Sequence, residues 1–271
     1  MRILYLISDF FALLLLHVVK YRKGVIQKNF QNSFPNINTK ELEILTKQYY
    51  AHLADQFVEA IKMLTISKKQ LLKRYKCLNP EVLQPYFEKK QSVILVSGHY
   101  NNWEFMVLSL DLHFQHHGIG IGKKMSSKVF ERIMYKKRTR YGTEVVYADS
   151  VRDTFERYQQ KNHPCAYMML FDQSPNSVNR CYITNFMSQK TAVIYGQEHF
   201  AKKYNYPVFF YGVRKVKRGY YEFELSLVDN NPAESKYGEI TEKCLSHLAK
   251  LINDAPQYWI WSHRRWKHKL Q

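Results

Sequence analysis

Residues 97–105 read SGHYNNWEF and follow the apolar run SVILV, so His99 stands five positions before Glu104. These side-chain types suit general-base catalysis. An imidazole titrates near neutrality and can take a proton from a hydroxyl or an amine, and a carboxylate on its other ring nitrogen would fix the tautomer and stabilise the imidazolium. On one regular helix, positions five apart point about 140° away from each other, so the pair can meet only across a corner. Ser97 and Gly98 end the preceding strand, Asn101 or Asn102 can cap, and WEFMVLSL continues as an apolar helix, so the stretch supplies such a corner. The same residues also suit an ordinary helix start. With Asn101 as N-cap, Glu104 falls three positions on and completes a capping-box-like pair. Spacing permits both readings, and one carboxylate can serve both.

Other residues with chemical potential surround this motif. Asp172 and Gln173 follow the apolar strand YMMLF, and in a parallel sheet they emerge on the same edge as His99. There they would close a pocket or bind head-group hydroxyls, although DQSPN is also a good turn sequence. Lys124, Lys128, Arg132, Lys136 and Arg140 recur every four residues and form a basic stripe beside an apolar side of Val129, Phe130, Ile133 and Met134. The stripe is either a solvated face or a dock for an acidic carrier or lipid phosphates, with Lys123, Arg138 and Arg140 as the phosphate candidates. His113, His116 and His117 lack a nearby Cys or acidic set to complete a metal shell, and are expected as exposed residues at a helix end. No G-x-S-x-G elbow accompanies Ser97, which disfavours a serine hydrolase.

The elements that must position these residues alternate along the chain. Apolar positions Leu42, Leu45, Tyr49, Leu53, Phe57 and Ile61 predict an amphipathic helix over residues 39–64. Shorter helices follow around KKQLLKRY and NPEVLQPYFEKK. Strands are expected at QSVILVSG, HGIGIGK, TEVVYA and PCAYMMLFD, and YPVFFYGVRKV pairs with GYYEFELSLV as a hairpin. Helices fall at residues 102–114, 126–141, 150–160, 191–204 and 234–253. This alternation predicts an α/β fold with a mixed central sheet flanked by helices. Nothing marks a second globular unit.

Composition narrows the partners. Forty-one Lys+Arg against 23 Asp+Glu give a net charge of +18, which suits phosphate, anionic lipid, nucleic acid or an acidic protein. Aromatics reach 15 per cent, as suits rings at a membrane interface. Trp259, Trp261, Trp266, Arg264 and Arg265 mix rings with cations, as membrane interfaces and single-stranded nucleic-acid grooves both do, and a core position for some of these tryptophans is the alternative. Cys77, Cys165, Cys181 and Cys244 are scattered, giving neither a zinc module nor a disulfide framework, and a reducing, cytoplasm-facing setting is expected. Residues 3–19, ILYLISDFFALLLLHVV, would span roughly 25 Å as a helix, at the short end of what crosses a bilayer. Followed by Lys20, Arg22, Lys23 and Lys28, they are expected to form an N-terminal membrane anchor that spans or lies in the interface, with the rest of the chain cytoplasmic. The expected division is residues 1–23 as anchor and 24–271 as the catalytic domain. A basic nucleic-acid-binding protein is the alternative from composition, but it leaves the apolar N-terminus and the His99 corner unexplained.

SGHYNNWEF resembles the H-x4-D/E motif of glycerolipid acyltransferases. Its GHxxNWE form resembles that of the late acyltransferases of lipid A biosynthesis, the lauroyl and myristoyl transferases of the lysophospholipid acyltransferase superfamily. VIQKNFQNSFP, RTRYG, FDQSPN and APQYWIWSHRRWK resemble further blocks of that family in chain order, so the resemblance runs from about Val25 to Lys267. ITNFMSQKT departs from a glycine-containing segment common there, which bears on acyl-chain preference and acceptor. The resemblance implies a glycerolipid acyltransferase-like fold at the cytoplasmic face of a bacterial inner membrane. It implies acyl transfer from acyl carrier protein to a hydroxyl of a lipid A precursor, with an amino lipid or lysophospholipid as the alternative acceptor. His99 and Glu104 would be catalytic, and Asn102, Lys123, Arg138, Arg140, Asp172 and Gln173 would bind substrate. No cofactor, metal, acyl-enzyme or nucleic acid is implied.

Overall fold

The computed structural model describes residues 2–268 and 270; the two expected domain ranges also take in Met1, Lys269 and Gln271, which lie outside the described residues. The chain opens with α1 (Arg2–Leu13), α2 (Lys23–Ser33) and α3 (Thr39–Lys62), and α4 (Lys68–Arg74) leads into β1 (Tyr75–Cys77). After α5 (Gln84–Glu88) come β2 (Val93–Ser97), α6 (Trp103–His113), β3 (His117–Gly122), α7 (Lys128–Arg138), β4 (Glu144–Tyr147), α8 (Val151–Gln160) and β5 (Cys165–Leu170). A hairpin of β6 (Cys181–Phe186) and β7 (Gln189–Ile194) precedes α9 (Gly196–Tyr204). The long pair β8 (Val208–Lys217) and β9 (Tyr220–Asp229) is followed by α10 (Glu239–Asp254), after which a C-terminal segment opens with a 3-10 turn at Pro256–Tyr258.

The main sheet runs β1-β9-β8-β2-β5-β3-β4, parallel throughout except where β8 meets β9. The mixed α/β architecture expected from the alternation is therefore present. Strand β2 is buried along its whole length, as a central strand covered on both faces must be. Its side chains alternate between two cores. Ile94 and Val96 join Phe30, Tyr49, Leu248, Trp259 and Trp261, whereas Val93 and Leu95 join Phe105, Leu108 and Phe209.

Several elements differ from expectation for identifiable reasons. The expected helix over 191–204 begins as strand β7, because TAVI supplies the apolar face that pairs with β6, and helix starts only at Gly196. In α3, apolar residues spaced by four drift 40° per step on a 3.6-residue helix, so the stripe rotates out of the core and leaves Phe57 and Ile61 exposed. In α7, Val129, Phe130 and Ile133 also face outward. Trp259 and Trp261 follow the core alternative left open for them. His116 is buried, His113 packs on Phe223 and Tyr75, and His117 bonds Asp111, so the three histidines are largely structural packing groups rather than exposed helix-end residues.

Helix α1 lies against α3 through a polar seam. Ser8 donates to Asp55, Tyr5 to Glu59, and Asp9 pairs with Arg218. The opposite face, Ile3, Leu6, Ile7, Phe10 and Leu13, is exposed. Among the described residues no single helix is long and apolar enough to cross a membrane; residues 3–18 reach α2 only through an 88° bend.

Candidate functional site

Parallel register builds the centre of the site. Ser97 at the end of β2 pairs with Leu170 at the end of β5, so two residues further on His99 meets Asp172. His99 Nδ1 lies 2.6 Å from Asp172 Oδ1, and the His99 backbone N–H donates to Asp172 Oδ2 at 2.7 Å. Gly98 permits this approach, since a Cβ there would stand 2.8 Å from Oδ2 and 2.7 Å from a Leu248 methyl. Trp259 Nε1 donates to Oδ2 at 2.6 Å, completing a cage of three donors around a fully buried carboxylate. Burial alone would raise the Asp172 carboxyl, but His99 and the donated hydrogen bonds outweigh it and hold it below the usual carboxylate range.

With Nδ1 committed to Asp172, Nε2 is the nitrogen left for chemistry. It lies 3.1 Å from Gln173 Nε2 and faces a cavity of about 830 Å³ lined by Trp103, Glu104, Lys123, Arg138, Tyr147 and Gln173 among others. A smaller, mainly apolar cavity of about 240 Å³ shares Trp103, Glu104 and Met134 with it, and runs among Tyr49, Leu53, Phe57 and Tyr258.

Glu104 does not fulfil the expected hydrogen bond to His99. Instead it accepts a two-pronged ion pair from Arg138, with Nε at 2.9 Å and Nη2 at 2.5 Å. The physical reason is direction. At the second position of α6 the Glu104 side chain points across to α7, whereas the end of β5 delivers Asp172 to the imidazole. Burial raises the Glu104 carboxyl, but Arg138, then Lys137 and His99, bring it below its ordinary value. The capping-box reading fails as well. Asn102 is the N-cap, its Oδ1 accepting from Phe105 N at 3.0 Å, while Asn101 sits before it in the left-handed region at φ 53°, which asparagine tolerates.

The remaining expected substrate contacts divide. Lys123 reaches the large cavity and bonds Asn176, and Gln173 lines the same space. Asn102 is instead buried, with its Nδ2 donated to Glu59 at 2.6 Å, so neither end of the amide is free for a substrate. Arg140 turns away and grips the carbonyls of Leu64 and Ile66, because it lies beyond the end of α7 and beside the α3–α4 connection. Lys137, not singled out in the sequence, is buried and donates to the Ala60 carbonyl at 2.8 Å, tying α7 to α3 next to Glu104. Burial lowers its pKa, which the nearby Glu104 charge partly offsets.

The C-terminal segment forms the back wall. Besides the Trp259 bond, His263 Nε2 accepts the Ser174 N–H, and the buried Arg265 donates to the Ala192 carbonyl. Burial pushes the His263 imidazole down to about 4, so it is neutral and able to accept that bond. Asn29 holds the segment from the other side, donating to the carbonyls of Trp261 and His263. The NF and SHRRW stretches, far apart in sequence, therefore meet behind Asp172. Burial raises the thiols of Cys77 and Cys165 to about 11 and about 12. Neither is an activated thiolate. Among the described residues no group of three or more His, Cys, Asp or Glu side chains is arranged to hold a metal ion.

A family model described as bacterial lipid A biosynthesis acyltransferase matches residues 1–268. No curated protein matches the chain.

Proposed function

The chain belongs to the bacterial lipid A biosynthesis acyltransferase family and is an acyltransferase of lipid A synthesis, and on that premise we propose that it moves a fatty acyl group from acyl carrier protein to a hydroxyl of a lipid A precursor by direct attack. The observation that carries this reading is the His99–Asp172 pair, whose second ring nitrogen, Nε2, is met among the described residues only by the amide of Gln173, a residue that, like His99, lines the large cavity. Asp172 holds the imidazole with its proton on Nδ1, so Nε2 takes the proton of the acceptor hydroxyl. The oxygen attacks the thioester carbonyl, the C–S bond breaks, and the leaving thiolate takes the proton back from the imidazolium. The products are an ester and a free thiol. Glu104, held by Arg138, supplies negative charge near the transient imidazolium without touching it. Direct transfer suits a site in which the hydroxyl of the motif itself, Ser97, is buried on the strand, and in which no cysteine lines either cavity among the described residues.

The cavities divide the substrates by chemistry. Lys123 and Lys124 on the rim of the larger one suit phosphate groups, and the apolar smaller one suits hydrocarbon. The exposed cations Lys128, Arg132 and Lys136 on α7 offer a face for an acidic carrier protein. Exposed apolar residues of α1 continue onto α3 through the Phe11–Phe57 ring contact, and Ile61 and Leu64 extend that face. This surface suits a helix lying in the interface at the cytoplasmic side of the inner membrane, beside anionic lipid. Mass spectrometry of lipid A from cells with and without the gene tests the function. Loss of one secondary acyl chain, restored by the unaltered gene but not by His99→Ala, supports it. Unchanged lipid A with an altered amino lipid or lysophospholipid overturns the acceptor assignment.

A further inference from the structure

Glu59 is completely buried in the last turn of α3, the fourth residue from its end, yet among the described residues it forms no ion pair, the Lys215 charge acting on it only at a distance; its hydrogen-bond partners are three neutral donors. Oε1 accepts from Tyr5 of α1 at 2.8 Å, and Oε2 accepts from Tyr221 of β9 at 2.9 Å and from Asn102 Nδ2 at 2.6 Å. Burying a carboxylate this way is costly unless the geometry is fully satisfied, and burial does raise its pKa. Asn102 is the cap of α6, and its other end orients the first turn that carries Trp103 and Glu104. One turn earlier on the same face of α3, Gln56 Nε2 donates to the Asn101 carbonyl. Helix α3 thus grips both asparagines of the corner that presents His99, and Tyr5 joins α1 to the same carboxylate. Four residues before Glu59, Asp55 repeats the tie to α1 through Ser8.

We propose that Glu59 is a positioning residue of the catalytic corner, and that through Tyr5 it makes the docking of α1 a condition for an active His99 site. The proposal rests on the reading of His99 as the base, but it concerns residues that touch no substrate. The Asn102–Glu59 bond has a fixed polarity, amide donor to carboxylate acceptor, and that polarity makes the proposal testable by exchange.

In Glu59→Gln an amide nitrogen confronts the Asn102 amide nitrogen, or the carbonyl faces Asn102 and a tyrosine loses its acceptor. In Asn102→Asp two carboxylates confront each other, although aspartate still caps. The double variant Glu59→Gln/Asn102→Asp restores a donor opposite an acceptor with the direction reversed, and conserves net charge. Each single change is expected to lower kcat by roughly 10²-fold, the scale of an ångström's misplacement, with KM for the donor within about threefold. The double variant should recover at least tenfold in kcat over the worse single variant. Tyr5→Phe should lower kcat less than Glu59→Gln, since two donors remain. Amide exchange at the Phe105 N–H, which reports the cap directly, should quicken in both single variants and slow again in the double. Single variants with unchanged kcat and exchange overturn the proposal, as does a double variant that recovers neither. If the unaltered protein transfers no acyl group, the functional reading fails, and the exchange cycle still decides the positioning role.

Discussion

Replacing Asp172 with asparagine preserves shape and burial but leaves one acceptor oxygen where the carboxylate has two. Three donors converge there: His99 Nδ1 on Oδ1, and His99 N and Trp259 Nε1 together on Oδ2. The single carbonyl oxygen satisfies most donors at the Oδ2 position, between a backbone N–H and an indole that cannot reverse. The amide nitrogen then faces His99 Nδ1. Because that nitrogen only donates, Nδ1 must accept, and the ring proton moves to Nε2. The nitrogen facing the cavity can then no longer take a proton from a hydroxyl. The expected fall in kcat is on the order of 10³–10⁴-fold, about 4 to 5.5 kcal/mol of barrier, with little change in KM because no cavity-wall group is altered. The reversed bond also costs about 1–3 kcal/mol of stability. The assay is acyl transfer from a thioester donor to a lipid acceptor in detergent micelles, paired with nitrogen NMR of the His99 ring in both proteins. A variant within tenfold of the unaltered kcat, or one whose His99 still carries its proton on Nδ1, refutes the assignment of Asp172.

Glu104→Gln tests the other carboxylate: kcat is expected to fall by roughly 10–10²-fold, the lower range for a charge that assists without orienting the base, while the His99 tautomer stays unchanged; a changed tautomer would return the orienting role to Glu104. Phe10→Glu, on the exposed face of α1, should weaken sedimentation with anionic vesicles by about tenfold or more at an unchanged thermal midpoint; vesicle binding equal to that of the unaltered protein would remove α1 from the membrane surface. Acid should destabilise the fold well above the carboxylate range. Burial lowers His52 and His116, and takes His113 and His263 down to about 4. The unfolded chain therefore binds more protons as pH falls below about 6.5; the stabilisation is complete above that value and is lost toward pH 4, by up to about 1.4 kcal/mol per pH unit for each such group. The thermal midpoint by circular dichroism should be flat from pH 8 to 7 and fall steadily from pH 6 to 5, and a midpoint constant to pH 5 contradicts this.

The alternation of elements and the nature of the corner are legible in the residues alone. A buried apolar strand ending in Ser-Gly, followed by asparagines and an apolar helix, forces His99 onto the sheet edge, because strand burial and helix capping are local properties. The same locality placed Asp172 and Gln173 on that edge, since YMMLF reads as a second buried strand. Which carboxylate reaches the imidazole was not local. It depended on β2 and β5 being parallel neighbours in a register that pairs Ser97 with Leu170, and on Arg138 arriving from α7 to claim Glu104. Sequence spacing makes Glu104 the nearest acid to His99 along the chain, and tertiary pairing makes Asp172 its partner in space. Arg140 and Asn102 were misjudged for the same reason, as their partners Leu64, Ile66 and Glu59 lie on segments some 40 to 80 residues away. The apolar stripe of α3 shows the limit in its simplest form. Spacing by four identifies a helix, but only the packing of α1 and the C-terminal segment decides which part of a slowly rotating stripe becomes core and which faces outward.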